Sequence, residues 1–372
     1  MSEGHFPPDY ATARANFLAA CKEAGLGTTA RVLPSAKARD GKPLFLDTAI
    51  MGERDAEAAL LLISATHGVE GYFGSAVQTG LLREGRLRAP KGTRIVLLHA
   101  LNPYGFAWDR RVNEDNADIN RNFADFSNLP AHPAYALLAD AINPKDMSRE
   151  GLKAANERLR AYAAEHGEFA LQEAMSRGQY EHPGGIFYGG AKESWSAAML
   201  RDVIAEELRG SRKLIAIDFH SGLGAHGHGE MISEDLPGSA AYARARTIWG
   251  ERVRSSESGE SVSPPLVGTI DKAVPKLMPR TEVTFAALEV GTCPPREMFT
   301  ALRRDNWLHC VAGSDHKDAE EIRLQIRDAF YPDTVEWKRM VWDAGCEVVQ
   351  QALDALAARE AIPEAHASTR LR

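Results

Sequence analysis

Four short runs dominated by apolar residues constrain most strongly what this chain can fold into. They occupy residues 59–65, 94–99, 213–219 and 284–290. Each has the length of a strand and lacks regular polar alternation, which is typical of strands buried on both faces of a sheet. Amphipathic helical patterns separate and follow them. The chain therefore predicts an α/β fold, with a mostly parallel, twisted mixed sheet flanked by helices on both faces.

The same pattern predicts the domain organisation. Helical periodicity covers residues 10–24, 72–82, 131–142, 148–175, 194–208, 240–249, 295–310 and 334–358. No internal repeat or low-complexity linker divides the chain, and 372 residues suit one large domain. We expect a single domain over residues 9–360, a helical insertion at about 131–208, and flexible termini at 1–8 and 361–372.

Composition and charge narrow the class of partner and the compartment. With 44 basic and 51 acidic residues, the net charge of −7 gives no electrostatic reason to expect nucleic acid or an anionic membrane as a partner. The four cysteines form no C-x-x-C pair, which fits a reducing compartment. No signal peptide or membrane span is recognisable. We expect a cytoplasmic protein; the oligomeric state stays open, a homo-oligomer included.

A histidine and a glutamate follow the first apolar run at the spacing of metal ligands. His67 and Glu70 are three residues apart, and Gly68 between them allows a sharp turn from strand to helix. His220 ends the third run and would emerge at the same edge of a parallel sheet. Two imidazoles and a carboxylate form the ligand set of a catalytic zinc. The alternatives are a solvated H-x-x-E pair and a structural core histidine.

Two further carboxylates lie in or beside the apolar runs. Asp218 is two residues before His220 and could orient a neighbouring group. Glu289 stands inside the fourth run, where an unpaired carboxylate is costly. It is either part of a structural ion pair or a general base beside a metal-activated water.

Arginines and asparagines cluster between the first and third runs. Arg110 and Arg111 precede the pair Asn120 and Arg121. Arginine binds carboxylates bidentately and stabilises oxyanions, although a solvated polar loop would have the same composition. Tyr188, in a glycine-rich segment, is either a substrate-binding or a structural residue.

A further histidine pair raises the question of a second metal. His226 and His228 form a His-x-His pair that could chelate an ion. The glycines around them instead favour a flexible loop near the mouth of the site.

The order of these motifs resembles the zinc carboxypeptidase family. The shared pattern is H-x-x-E, then N-P-x-G-F at residues 102–106, then D-x-N-R-N-F at 118–123, then a strand ending in H-S, then a strand with a lone glutamate. It extends from His67 to Glu289, over most of the chain. Each motif is short, but the ordered set is specific. The resemblance implies a zinc carboxypeptidase-like, or phosphorylase/hydrolase-like, fold.

The resemblance also implies a role for each matching residue. One zinc per chain would be held by His67, Glu70 and His220, with Glu289 as general base and later acid. Asn120 and Arg121 would bind the terminal carboxylate of the substrate. An upstream arginine would polarise the scissile carbonyl, and we favour Arg111 over Arg110 while leaving both as candidates.

The sequence also departs from this family. Zinc carboxypeptidases have a mobile tyrosine between the distant histidine and the catalytic glutamate, and the only tyrosine in that interval here is Tyr242, in a predicted helix. The patterns H-G-x-E and D-x-H, and the short interval from arginine to Asn-Arg, resemble the aspartoacylase/succinylglutamate desuccinylase deacylases.

Three functions therefore follow from the resemblance. The favoured one is a carboxypeptidase-like zinc peptidase that cleaves an amide bond next to a carboxylate-bearing residue. The alternative is a small-molecule amidohydrolase acting on N-acyl amino acids. The third is a metal-binding scaffold without turnover, against which stand the retained Glu289 and arginines. The expected partner is accordingly a peptide or an N-acyl amino acid.

Overall fold

The structure, a computed structural model, describes residues 2–358. Its centre is a sheet of eight strands in the described residues. The strands are β1 (Thr28–Lys37), β2 (Pro43–Gly52), β3 (Ala58–Ile63), β4 (Thr93–His99), β5 (Lys213–His226), β6 (Gly229–Ser233), β7 (Val253–Ser255) and β8 (Glu282–Gly291). The four predicted strands are β3, β4, β5 and β8, and β1 pairs with β2 in antiparallel fashion.

The strand order is β1-β2-β4-β3-β5-β8-β6-β7. The central strands β4, β3, β5 and β8 are mutually parallel, whereas β2 joins β4 and β6 joins β8 in antiparallel fashion. The predicted mixed sheet with a parallel centre is confirmed. Because β3, β5 and β8 are neighbours, their carboxyl ends meet at one edge.

Twelve α-helices surround the sheet in the described residues. They are α1 (Tyr10–Glu23), α2 (Gly71–Arg83), α3 (Pro103–Trp108), α4 (Pro133–Ile142), α5 (Arg149–His166), α6 (Glu168–Ser176), α7 (Trp195–Glu207), α8 (Ala240–Trp249), α9 (Ile270–Leu277), α10 (Pro295–Trp307), α11 (Ala319–Phe330) and α12 (Val335–Ala357). Side chains alternate along β3 between two cores: Leu60 and Leu62 pack with α2 and α12, and Leu61 and Ile63 pack with α7 and α9. Helices therefore cover both faces, as predicted.

The helical insertion contains more separate helices than its sequence pattern predicts. Residues 148–175 form two helices, because Gly167 has φ 94° and ends α5 before α6 begins. Helices α4, α5 and α6 share a small apolar core of their own, whereas α7 packs on the sheet. The separate helical layer therefore consists of α4–α6.

Short elements with little apolar periodicity escape sequence-based prediction. Strands β6 and β7 pair with each other over only three residues. Helix α9 contains Pro275, which argues against a helix in the sequence. Strand β5 continues to His226 beyond the predicted end, so the residues around His226 are not a free loop.

The N-terminal segment differs from the expected flexible terminus. His5 stacks on Trp342 with ring centroids 4.7 Å apart, and Phe6 belongs to the main apolar core. This packing holds the segment against α12. The predicted flexible segment at 361–372 lies outside the described residues. Within residues 2–358, no helix combines the length and the apolar character needed to cross a membrane.

Candidate metal centre

The first two candidate ligands lie on the turn between β3 and α2. His67 follows β3, and Glu70 closes the short 3-10 turn Gly68–Glu70. Gly68 is required because a Cβ there would lie 2.0 Å from the carbonyl carbon of Gly105. This close approach folds the turn tightly enough for His67 Nδ1 to lie 2.9 Å from Glu70 Oε1.

The third candidate ligand approaches from β5. His220 Nδ1 lies 3.0 Å from Glu70 Oε2 and 3.1 Å from His67 Nδ1. The three ligand atoms lie within 4.8 Å of one another, and all three residues are buried. Donors at about 2.0–2.1 Å from a tetrahedral ion are separated by roughly 3.4 Å. The structure thus brings together the predicted ligand set at nearly that spacing.

A carboxylate lies behind the second ring nitrogen of each histidine. His220 Nε2 is 2.8 Å from Asp218 Oδ2, and His67 Nε2 is 3.1 Å from Asp118 Oδ1. Protons donated from Nε2 to these carboxylates leave both Nδ1 lone pairs directed at each other and at Glu70. Lone pairs and a carboxylate in this arrangement repel unless a cation lies between them. The donor set therefore fits a divalent metal.

Asp118 was not among the predicted site residues. Besides His67, it contacts Arg111, whose Nε donates to Asp118 Oδ2 at 3.1 Å. Burial raises the pKa of Asp118, but the charges of Arg111, His67 and Arg121 outweigh it and hold the pKa well below its usual value. The signal that could have identified Asp118 is its position at the start of the Asp-x-Asn-Arg motif.

Glu289 lies next to His220 across the sheet. The two residues are directly paired between β5 and β8, and both line the same cavity. Glu289 Oε1 accepts a hydrogen bond from the backbone N–H of Leu223 at 2.8 Å. Burial, followed by the negative charge of Glu70, raises the pKa of Glu289 to about 8. A cation between the ligands would favour the ionised form of Glu289.

The two adjacent arginines point to different places. Arg111 Nη1 donates to Glu70 Oε1 at 3.0 Å, and its Nη2 lies 2.8 Å from His67 Nε2. Arg111 and Asp118 thus compete for His67 Nε2. A metal bound at Nδ1 would leave the proton of His67 on Nε2, and that proton can be donated to Asp118 but not to Arg111. Arg110 instead forms a buried ion pair with Asp305, with Nε 3.1 Å from Oδ2.

Of the two adjacent arginines, Arg111 lines the cavity and Arg110 does not. The assignment of Arg110 to substrate binding is corrected, because Asp305 and the amide oxygen of Asn116 hold its guanidinium away from the metal centre.

Asn120 and Arg121 both line the cavity beside the metal centre. Arg121 Nε and Nη2 donate to the carbonyl of Ser176 at 3.2 and 2.8 Å, and Nη1 donates to the carbonyl of Asn120 at 2.8 Å. Arginine has five N–H groups. One N–H on each of Nη1 and Nη2 is thus left without an acceptor among residues 2–358. The Asn120 Oδ1 accepts from the N–H of Ile270, which joins this segment to the start of α9.

The glycine-rich segment contributes a different aromatic residue from the one predicted. Tyr188 is buried and does not line the cavity; its backbone carbonyl accepts from the N–H of Asp118 at 2.7 Å. Its substrate-binding assignment is therefore corrected. Phe187 lines the cavity instead, with Arg111 Cζ and Arg121 Cζ at 5.4 and 5.7 Å from its ring centroid.

The cavity has a volume of about 740 Å³. Its walls come from β5, β6 and β8, from α6 and α10, and from the segment 262–266. Phe169 lines it and is 49% exposed, which places this residue at the mouth. The metal centre therefore opens into a chamber large enough for a small organic ligand.

The second histidine pair is not part of a group of three possible ligands in the described residues. His226 Nδ1 lies 2.6 Å from the carbonyl oxygen of Thr292. Among the residues that the structure describes, His67, Glu70 and His220 are the only group of three His, Cys, Asp or Glu side chains with ligand atoms this close together.

Comparison with known proteins identifies the family. Residues 6–344 match the family model described as "Protein of unknown function (DUF2817)". The chain belongs to this family. No curated protein matches the DUF2817 chain.

Solved structures similar to the DUF2817 chain fall into the two enzyme classes that its motifs resemble. A putative carboxypeptidase A from Shewanella denitrificans has 12% identity and a TM-score of 0.47, covering 94% of this chain and 71% of its own. A metallo-carboxypeptidase from Pseudomonas aeruginosa has 14% identity and a TM-score of 0.45, covering 92% and 68%. A succinylglutamate desuccinylase/aspartoacylase from Rhodobacter sphaeroides has 18% identity and a TM-score of 0.36, covering 77% and 66%.

Proposed function

We propose that the protein is a metal-dependent hydrolase that cleaves an amide bond next to a carboxylate. One observation carries the proposal: two imidazole nitrogens and a carboxylate converge within 4.8 Å, beside a buried glutamate in the same cavity. His67, Glu70 and His220 would hold one zinc ion, because two nitrogens and one oxygen form the donor set of catalytic zinc sites.

Glu289 would act as the general base. A bound zinc supplies Lewis acidity, which activates water and polarises a carbonyl. Glu289 accepts the proton of the attacking water and returns it to the departing amine. Its backbone partner Leu223 fixes one carboxylate oxygen and leaves the other for this transfer.

The two cavity arginines would divide the binding of the substrate. Arg111, beside the ligands, is placed to stabilise the developing oxyanion. Arg121 offers one free N–H on each terminal nitrogen, which matches the two oxygens of a carboxylate. Asn120 lies next to it in the same wall. A substrate bound at both arginines has its carboxylate close to the bond that breaks.

A deacylase of small N-acyl amino acids is the second candidate, and the walls of the cavity favour it. Helix α6 lies over the site and is tied to the body by Arg121 and by the bond from Gln172 Nε2 to the carbonyl of Val262 at 2.9 Å. A cavity covered by α6 on one side suits a small amide better than an extended peptide.

The test is hydrolysis of a panel of dipeptides, tripeptides and N-acyl amino acids by the purified full-length chain. We expect release of a free amine that a chelator abolishes and added zinc restores. Tripeptide cleavage would support the peptidase, and cleavage restricted to N-acyl amino acids would support the deacylase. Absence of chelator-sensitive cleavage across the panel, with metal bound, would indicate a scaffold without turnover.

A further inference from the structure

One part of the cavity lining is a group of apolar side chains on α10, on α11 and at Phe187. These are Phe187, Met298, Phe299, Leu302 and Phe330, and we call this group the apolar wall. Four of them come from α10 and from the end of α11. The proposed hydrolysis assigns no role to any of them.

The apolar wall adjoins the metal centre directly. A Cβ at Gly222, two residues after the ligand His220, would lie 3.1 Å from Phe330 Cε1 and 3.3 Å from Met298 Cε. The carbonyl of Phe330 also accepts a hydrogen bond from Ser221 Oγ at 2.7 Å. A group attached to a carbonyl at the metal centre therefore has only a few ångströms to cross before it meets the wall.

Phe187 is held in an unusual backbone conformation that aims it at this position. Its φ is 56°, a value that bulky side chains rarely adopt and that persists only where the surroundings impose it. The surroundings here are two flanking hydrogen bonds, from the N–H of Gln179 to the Phe187 carbonyl at 3.1 Å and from Asp118 to the Tyr188 carbonyl. The ring consequently lies beside both Arg111 and Arg121 and packs on the wall.

Apart from the ring of Phe187, the carboxylate-binding groups contact other elements than those that carry the apolar wall. Arg121 contacts the end of α6, and Asn120 contacts the start of α9. Helix α11, in contrast, packs on β5 and on the turn that carries Glu70.

With the substrate carboxylate at Arg121 and the scissile carbonyl at Arg111, the amino-acid side chain branches between these two groups, and the acyl group continues beyond the carbonyl. Met298 and Phe330 of the apolar wall lie beside the metal centre, so the acyl group would meet them first.

We propose that the apolar wall is an acyl subsite, and that the substrates are amino acids carrying an apolar N-acyl group, aliphatic or aromatic. This inference rests on the proposed function and names its substrate class.

The arginines that lie beside the wall have other partners. Arg303, beside the Phe299 ring, donates to two backbone carbonyls at the end of α4 and does not line the cavity. Arg111, beside two rings of the wall, is assigned to the oxyanion, and Arg121, beside Phe187, is assigned to the substrate carboxylate. An acyl group ending in a carboxylate therefore loses its hydration at the wall without gaining a free partner.

The test is calorimetric binding of N-acyl derivatives of glycine, leucine, glutamate and lysine to the full-length chain, before and after metal removal. Each buried methylene contributes about fourfold in affinity. N-hexanoyl derivatives should therefore bind between about tenfold and two-hundredfold more tightly than N-acetyl ones. N-succinyl derivatives should bind more weakly than N-butanoyl ones. Equal affinity across acyl lengths, tighter binding of the succinyl compounds, or no binding of any compound would overturn the subsite.

Two matched variants test whether the dependence of affinity on acyl length arises at the apolar wall. Leu302→Gln alters the wall, whereas Leu353→Gln alters a comparably buried leucine in the core on α12. The first variant should flatten the dependence on acyl length, and the second should keep it. An unchanged dependence in folded Leu302→Gln would contradict the proposal.

Separate results would reject the proposed hydrolase activity and the proposed acyl subsite. Chelator-sensitive hydrolysis without a preference for apolar acyl groups would reject the subsite and keep the hydrolase. Length-dependent binding without hydrolysis of any amide would reject the hydrolase and keep the subsite.

Discussion

The bodies of β3, β5 and β8 and their carboxyl ends bury different kinds of side chain. In the body of β3, Leu60, Leu61 and Leu62 are fully buried among other apolar side chains. At the carboxyl edge of the sheet, buried positions hold His67 after β3, His220 in β5 and Glu289 in β8. Burial stabilises the bodies directly, whereas the ends are stabilised only by mutual pairing. The strand bodies therefore act as a scaffold that stabilises the fold, and the carboxyl edge of the sheet carries the proposed catalytic groups.

The largest effect on turnover should come from removing the proposed base. Glu289→Gln keeps the shape of the site but cannot accept a proton, so we expect kcat to fall by about a hundredfold to ten-thousandfold. Metal content should stay unchanged. The matched control is Glu230→Gln, on the neighbouring strand opposite Glu289 and outside the cavity. Near-normal turnover in Glu289→Gln would remove Glu289 from the mechanism.

A smaller loss should separate the two adjacent arginines. Arg111→Met removes the oxyanion donor, and kcat should fall by about a hundredfold to a thousandfold. Arg110→Met leaves Asp305 buried without its partner, so we expect a loss of about 3–5 kcal/mol in the free energy of unfolding. Steady-state kinetics and urea unfolding of both variants check this contrast. The reverse pattern would exchange the two roles.

A weaker effect should appear at the carboxylate behind His67. Asp118→Asn keeps the size of the side chain but loses the charge that orients the imidazole and Arg111. We expect zinc affinity to fall by about tenfold to a hundredfold. Competition with a chromogenic chelator measures this affinity. Asp305→Asn, a buried carboxylate away from the cavity, is the control, and equal affinities in the two variants would count against the orienting role.

The smallest effect on turnover should come from the strand bodies. Leu61→Ala removes a fully buried side chain, so the free energy of unfolding should fall by about 2–5 kcal/mol. Turnover per folded molecule should not change. Urea unfolding and active-site titration test both statements. A large fall in kcat with unchanged stability would break the separation between scaffold and edge.

The sequence predicted the structure best where a continuous apolar run can be stable only as a buried strand. Continuous apolar runs predicted β3, β4, β5 and β8, and the position of His67, Glu70 and His220 at their ends predicted the convergence that the structure contains. The convergence also requires β3 and β5 to be neighbours in the sheet, because parallel neighbours end at the same edge.

The sequence left adjacent candidates open where distant residues decide between them. Asp305 lies far along the chain from Arg110 and determines that Arg110, not Arg111, is turned away from the metal centre. The positive φ of Phe187 directs this ring into the cavity and turns Tyr188 out of it, and no local pattern encodes that sign. The formation of short strands such as β6 likewise depends on pairing with a strand that is distant in the sequence.

The most direct test of the account is the metal content of the purified chain after dialysis against zinc-containing and then metal-free buffer. Elemental analysis should find about one zinc per folded wild-type chain and almost none in His67→Ala, while His226→Ala, at a histidine outside the ligand group, should retain the wild-type amount. Equal metal content in His67→Ala and the wild type, with both folded, would contradict the proposed centre.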